Sequence, residues 1–181
     1  MRFVSPLLML LLAILNDCGC KRMWEHELLE AHVYSSDESK LKLNLYVSRV
    51  GRDLVGFSGT VDWNFDADNE AMLEMGFYRS ASGNDYRPMP FSISKKYFKD
   101  YKTLYDDIIY INLKDCSNLP QIEGDYLIPW PRNLYTFNNC NFHKGVLPEV
   151  VAEGMYKTVF AFFGEVNWNV TFIFYVRPKL F

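Results

Sequence analysis

The sequence predicts a mainly β fold: a β-sandwich or β-cup of about seven to nine antiparallel strands, with one α-helix near residues 95–113. Three observations predict it. Apolar residues alternate with polar ones in several separate segments, the two-residue period of a half-buried strand. Aromatic residues make up 17% of the chain, with 14 Phe, 12 Tyr and 4 Trp, and much of this content falls in those alternating segments. The period switches to a helical one once only.

The chain has 181 residues, a length that suits one domain after a leader. The opening "MRFVSPLLMLLLAIL" carries Arg2 and then an apolar run from Leu7 to Leu15. That run is too short to span a bilayer and sits where the hydrophobic region of a signal peptide sits. Cys18 and Cys20 occupy the −3 and −1 positions of a cut after residue 20. The expected organisation is a signal peptide over 1–20 and a single domain over 21–181, secreted to the cell exterior. An uncleaved N-terminal anchor is the alternative. No later apolar run is long enough for a membrane helix, so no stable transmembrane anchor is expected in the mature protein.

Arg2 and Asp17 leave together, so the net charge stays at −3. This mild charge, with no long basic run, argues against nucleic acid as a partner. Cys116 and Cys140 are the cysteines that remain. In an oxidising compartment two cysteines read as one disulfide, here joining positions 24 apart. A catalytic thiol is the competing reading.

The pattern from Glu27 to Val33 is mixed but compatible with a strand. "LKLNLYVSRV" alternates cleanly, with Leu41, Leu43, Leu45 and Val47 on one face and Lys42, Asn44 and Ser48 on the other. "DLVGFSGTVDWNF" is a further strand region, in which Gly56 and Gly59 point to a bulge or a bend. "DADNE" is a turn, "AMLEMGFYRS" a strand, and "SASGNDYRPMPF" a loop closed by prolines. Tyr97, Tyr101, Leu104, Tyr105, Ile108 and Ile109 then form one helical stripe, extended by Asn112, with Ser94 as N-cap. Lys95, Lys99 and Lys102 lie near the start of that helix and Asp106 and Asp107 near its end. Both placements oppose the helix dipole, so tertiary packing must hold it. The lysines are either a solvated side or a contact for lipid headgroups.

"CSNLP", a proline-rich extended stretch "YLIPWPRNLYTF" and "NNCNF" follow. Two long strands, Gly154 to Phe163 and Val166 to Arg177, close the chain around Gly164-Glu165. Their register decides which face is wet. A two-residue loop would place Lys157 beside Trp168 and Phe172, and would place Asn169 of the glycosylation sequon Asn169-Val170-Thr171 beside Phe160. A shift of one residue sorts the faces. Tyr156, Thr158, Phe160 and Phe162 then join Trp168, Val170, Phe172 and Phe174, while Lys157, Val159 and Ala161 join Asn167, Asn169 and Thr171. The expectation is an odd-length loop, such as Gly164-Glu165-Val166, or an equivalent bulge.

Chemistry-bearing clusters are sparse. His26, His32 and His143 are scattered without cysteine or carboxylate at metal-ligand spacing, so no metal or cofactor is expected. Asp66, Asp68 and Glu70 start like a calcium loop, but Ala71 stands at the sixth position and Phe77 at the twelfth, which reads as a solvated turn. "GFSGT" around Ser58 misses the nucleophile elbow, because Thr60 stands at the second glycine. No nucleophile–base set appears, so no catalytic residue is assigned and an enzyme is not expected. What remains is surplus apolar surface. It either fills a sandwich core or lines a gap between sheets that takes an apolar molecule. Candidate lining residues are Phe57 and Trp63, with Tyr156, Phe160, Phe162, Trp168, Phe172 and Phe174 of the terminal hairpin.

Leu147, Pro148, Gly154 and Tyr156 match the "lP…G-x-Y" pattern that enters the penultimate strand of the ganglioside-activator group of lipid-recognition (ML-like) proteins. The order of "SASGNDYRPMPFSI", the helix, "CSNLP", "NNCNF" and "EGMYK" resembles, more closely, the insect chemosensory CheA/CheB-type secreted proteins. That resemblance implies a secreted β-cup holding a hydrophobic, lipid- or hydrocarbon-like ligand, a role in chemosensation or pheromone response, and a membrane receptor as a candidate partner. The ganglioside activator has several disulfides and a cysteine in its last strand. This mature chain can make one disulfide and has no cysteine there, so ligand identity does not carry over. The alternative to a ligand carrier is an extracellular protein–protein interaction domain with a filled core.

Overall fold

A computed structural model describes residues 23–50, 54–142, 148, 150–179, with the side chains of Val50 and Leu54 left aside. The expected leader over 1–20, its cut after Cys20, and His143 and Leu147 lie outside the described residues. Nine strands are described: β1 (Trp24–Ser35), β2 (Leu41–Val50), β3 (Leu54–Trp63), β4 (Met72–Ser80), β5 (Arg87–Pro88), β6 (Ile93–Tyr97), β7 (Asn133–Cys140), β8 (Gly154–Phe163) and β9 (Trp168–Pro178). One helix, α1, covers 98–113. All pairings are antiparallel. One sheet runs β1-β9-β8-β4-β5, with β6 also on β4, and a second runs β2-β3-β7. This is the mainly β sandwich or cup that the alternation predicts.

The terminal hairpin has the sorted register. Phe162 pairs with Trp168, Phe160 with Val170, Thr158 with Phe172 and Tyr156 with Phe174. Ala161 pairs with Asn169 and Val159 with Thr171. The dry side is therefore Tyr156, Phe162, Val170, Phe172 and Phe174, all buried, while Asn169 and Thr171 are half-buried on the other. β4 lies on the far side of β8, with Leu73 opposite Phe162 and Phe77 opposite Thr158, which extends the dry face.

The mixed pattern of β1 has a simple cause. Its register against β9 shifts between Leu28 and Glu30, so Leu28 faces Phe174 while Ala31 faces Phe172 and Val33 faces Val170. A bulge inverts parity, and no single alternation fits both halves of such a strand. The expected irregularity at Gly56 and Gly59 is also present, as a shift between Phe57 and Gly59 against β7. Gly59 has φ +135°, and a Cβ there would sit 1.9 Å from the carbonyl oxygen of Asn44. Only glycine lets β2 and β3 approach this closely.

Two expectations near the helix are corrected. Residues 95–97 belong to β6, so Lys95 is a strand residue, and Ser94 caps nothing; Tyr97 stands at the N-cap without a side-chain cap bond. Tyr97 is 38% exposed, whereas Phe98, which the stripe omits, is buried. The helix opens as a 3₁₀ turn (Phe98–Tyr101), passes through Lys102–Leu104, and widens into a π segment, Tyr105–Tyr110, before ending at Ile111–Leu113. The wide turn has a packing consequence. Residues four apart drift one way around a regular helix of 3.6 residues per turn, and the wider turn of a π segment carries them back. Tyr101, Tyr105, Ile109 and Leu113 thus stay on the inner side. The "SASGNDYRPMPF" loop is also not wholly a loop, since Arg87 and Pro88 pair with Arg79 and Tyr78.

Two tethers of the helical region come from side chains. The Tyr101 hydroxyl donates to the Leu73 carbonyl at 2.9 Å, fixing α1 to β4. Cys116 and Cys140 form a disulfide, joining the end of α1 to β7. Lys102 forms an ion pair with Asp106 one turn on, and Lys95 lies 3.6 Å from the Phe163 ring centroid.

Candidate functional site

The sheets and α1 line a partly open cavity of about 190 Å³. It sits between the two halves of the core. One half gathers around Trp63, Phe65, Phe98, Trp130 and Phe162, the other around Phe57, Tyr156, Phe172 and Phe174. Each layer contributes to the lining for a reason visible in its sequence. The β2 alternation supplies Leu43 and Leu45, β3 supplies Phe57, Val61 and Trp63, and β9 supplies Trp168, Val170 and Phe172. The π-widened helix supplies Tyr101, Tyr105, Ile109 and Leu113. The connection between α1 and β7 adds Leu119, Leu127 and Trp130.

Five of the eight candidate lining residues meet at this cavity: Phe57, Trp63, Phe160, Trp168 and Phe172. Tyr156, Phe162 and Phe174 do not line it. Tyr156 and Phe174 stack on one another at 5.7 Å, and the Tyr156 hydroxyl donates to the Ala152 carbonyl. Phe162 is 1% exposed and lies between Trp63, Phe65, Phe98 and Trp168. They are packing residues. The lining residues missed by sequence reading are mainly those of β2, α1 and the 114–132 connection, with Val61, Leu73, Tyr135, Phe137, Phe142 and Val170 beside them. The β2 and α1 stripes were visible as inner faces, but Trp130 lies in a proline-rich stretch with no period to reveal its side.

No Lys, Arg, His, Asp or Glu lines the cavity. Its titratable groups are tyrosines, and their hydroxyls are already engaged. Tyr101 donates to Leu73, Tyr105 to the Pro120 carbonyl and Tyr135 to the Pro131 carbonyl. Burial pushes Tyr101 and Tyr135 up to about 12 and raises Tyr105 as well, because the phenolate would lose its hydration.

The tryptophans divide differently. The Trp63 indole N–H donates to the Phe65 carbonyl at 2.9 Å, and Trp24 donates to the Pro148 carbonyl at 2.8 Å. The Nε1 atoms of Trp130 and Trp168 are buried with no acceptor in reach. Both flank Trp63, each with ring centroids 6.0 Å from it. A buried donor left unpaired costs about 1–3 kcal/mol. Neither nitrogen faces the cavity, whose lining surface is wholly apolar.

The remaining candidates have structural roles. Ser58 donates to Ser48 and accepts from the Asn139 N–H, joining β2, β3 and β7 at the bulge. Asp66 makes a two-point ion pair with Arg132, which holds its carboxyl below the usual range. Asp68 accepts from the Glu70 N–H within the turn. His26 bonds Asn141 and His32 bonds Glu30. Among the described residues no group of three or more His, Cys, Asp or Glu could hold a metal ion, and no helix is long and apolar enough to cross a membrane.

A family model described as a protein of unknown function, DUF1091, matches residues 73–158. The match runs from β4 through α1 and the disulfide to the first half of β8, so it takes in one wall of the cavity and its helical cover. No curated protein matches the chain.

Proposed function

We propose that the protein is a secreted, non-enzymatic carrier that takes up a hydrophobic molecule between its sheets and helix. The observation that carries this reading is the cavity of about 190 Å³ lined by side chains that present no charge. Pockets for small molecules are apolar with few polar groups. Burial of apolar ligand surface at about 25 cal/mol per Å² would drive uptake. The volume restricts the ligand. A cavity of about 150 Å³ takes benzene, so this one suits about seven or eight heavy atoms, short of a long-chain or two-tailed lipid. The Cys116–Cys140 disulfide is compatible with an extracellular setting. The resemblance to the CheA/CheB-type proteins supports a role in chemosensation or pheromone response, with a membrane receptor as the reader of the loaded protein.

A second reading is an extracellular interaction domain whose partner is a protein. One observation favours it: the cavity falls below the range of about 300–1,000 Å³ usual for ligand pockets. Native mass spectrometry of the protein secreted from insect cells, followed by extraction, separates the two. A stoichiometric neutral, apolar adduct supports the carrier. An adduct-free protein with no affinity for short hydrocarbons or their oxygenated relatives supports the interaction domain.

A further inference from the structure

We propose that Asn169 carries an N-linked glycan whose first sugar rests on the ring of Tyr34, on the outer face of the larger sheet. This rests on the secreted setting of the reading above and not on the ligand. The sorted register puts both requirements of the sequon on one side. Asn169 and Thr171 are half-buried on the outer face of β9, while Val170 between them is buried on the inner one. Neither the Asn169 carboxamide nor the Thr171 hydroxyl makes a side-chain hydrogen bond among the described residues. Asn169 is flanked by Ala161 on β8 and by Tyr34 on β1. Ala161 is small and leaves room above it. Tyr34 is 55% exposed, with no hydrogen bond or ring contact among the described residues. Directly paired residues have Cβ atoms about 4.5–5.5 Å apart, so a sugar on Asn169 has this ring within reach. The donor in the secretory pathway is a lipid-linked oligosaccharide diphosphate. Nδ2 of Asn169 bonds the anomeric carbon of the first N-acetylglucosamine, and the bond from that carbon to the diphosphate breaks. The lipid diphosphate leaves with the electron pair and Nδ2 gives up one proton. Thr171 supplies the hydroxyl that the transferase requires two residues on.

The rest of the outer face shows why a sugar suits this place. Farther along it, the sheet covers itself: Lys157 lies 4.9 Å from the Tyr78 ring centroid and 4.7 Å from that of Tyr86, and Tyr78 packs on Gly76. Around Asn169 the same face presents Val159, Ala161 and Ile173, half-buried and apolar. A pyranose has an apolar face of C–H groups and a polar rim. It can cover the tyrosine ring and these side chains while its hydroxyls stay in water. The cavity lies on the opposite side of β9, where Val170 and Phe172 line it, so the first sugar does not enter it. A glycan here also withdraws this face from the surfaces at which a protein partner could dock.

The test reads intact mass and the Asn169 peptide of protein secreted by insect cells, for the wild type, Thr171→Val and Thr171→Ser. The wild type and Thr171→Ser keep the sequon and are expected to carry N-acetylhexosamine and hexose increments on Asn169, which Thr171→Val loses. The glycosylated wild type is expected to melt about 2–4 °C above Thr171→Val, the shift that one aromatic contact makes in a domain of this length. In a Tyr34→Ser background that gap should shrink to less than about half. A secreted wild type with bare Asn169 overturns the inference and leaves the carrier reading standing. A melting gap that ignores Tyr34 overturns the platform. Affinity for 2-heptanone, a neutral ketone of the size given above, should differ less than about twofold between wild type and Thr171→Val, because the two sites lie on opposite sides of β9. A larger difference overturns the placement of the sugar. Binding to neither form overturns the carrier reading alone, and protein found only inside the cells overturns the secretion on which both rest.

Discussion

The two ends of the space between the sheets are built from the same strands and behave differently. At the Tyr156 end, Tyr156 and Phe174 stack, Trp24 donates to the Pro148 carbonyl and Tyr156 to the Ala152 carbonyl. Side chains fill the space and the polar tips find backbone carbonyls. Between that end and the Trp63 cluster, β9 contributes Trp168, Val170 and Phe172 to a cavity, and the facing cover is the helix and the 114–132 connection. Alternation aims side chains inward at both ends. Whether the inward space closes depends on what lies opposite, and here the π-widened α1 with the following connection leaves a gap.

That contrast can be broken in several ways, beginning with the largest effect. Tyr156→Ala should cost about 3–5 kcal/mol by chemical denaturation, because a fully buried ring is lost from packed surroundings. A much smaller cost would mean that the Tyr156 end is also loose. Removing the disulfide by Cys116→Ala with Cys140→Ala should cost about 3 kcal/mol, the loop-closure value for a separation of this length. Because that bond anchors the cover to β7, binding of 2-heptanone should weaken in the same variant, whereas Tyr156→Ala should leave the affinity of the folded fraction unchanged.

The tyrosines of the cavity give a pH signature. Their folded-state pKa values lie above the unfolded value, so the protonated phenol is favoured by the fold. That contribution is fully present below pH 10 and is lost as pH rises through about 12. Melting temperature should therefore be level in this respect up to pH 10 and fall beyond it, with tyrosinate absorbance from Tyr101 and Tyr135 appearing only as the protein unfolds. Tyrosinate signal at pH 10 in the folded protein that Tyr101→Phe or Tyr135→Phe removes would show that water reaches these rings. The smallest effect on stability is expected from Leu43→Phe. It adds bulk to the cavity wall, should shift stability by no more than about 1.5 kcal/mol, and should abolish binding of 2-heptanone.

Much of this was legible in the sequence, and the remainder was hidden for identifiable reasons. β2, β8 and β9 show their faces because one side is buried and a slip of one residue would invert every side chain. That same logic required the odd loop and put Asn169 opposite Ala161 rather than beside Phe160. β1 was blurred by its bulge. The helix was half legible: Tyr101 and Tyr105 obey a regular stripe, but the π segment brings Leu113 inward, and the 3₁₀ start makes Phe98 the first buried residue. The cavity was least legible. Tyr156 and Phe172 share a face and a composition, and one packs while the other lines a gap, because the difference is made by α1 and Trp130 on the opposite side. No local pattern in the hairpin encodes that.

This gap is proposed to receive a small neutral apolar molecule. Methyl-resolved NMR of the wild-type protein titrated with 2-heptanone tests it most directly. Saturable shifts are expected at Leu43, Leu45, Val61 and Ile109, which line the cavity, and none at Leu28 and Val176, which belong to the closed end. Shifts without saturation, or spread equally over both ends, would contradict it.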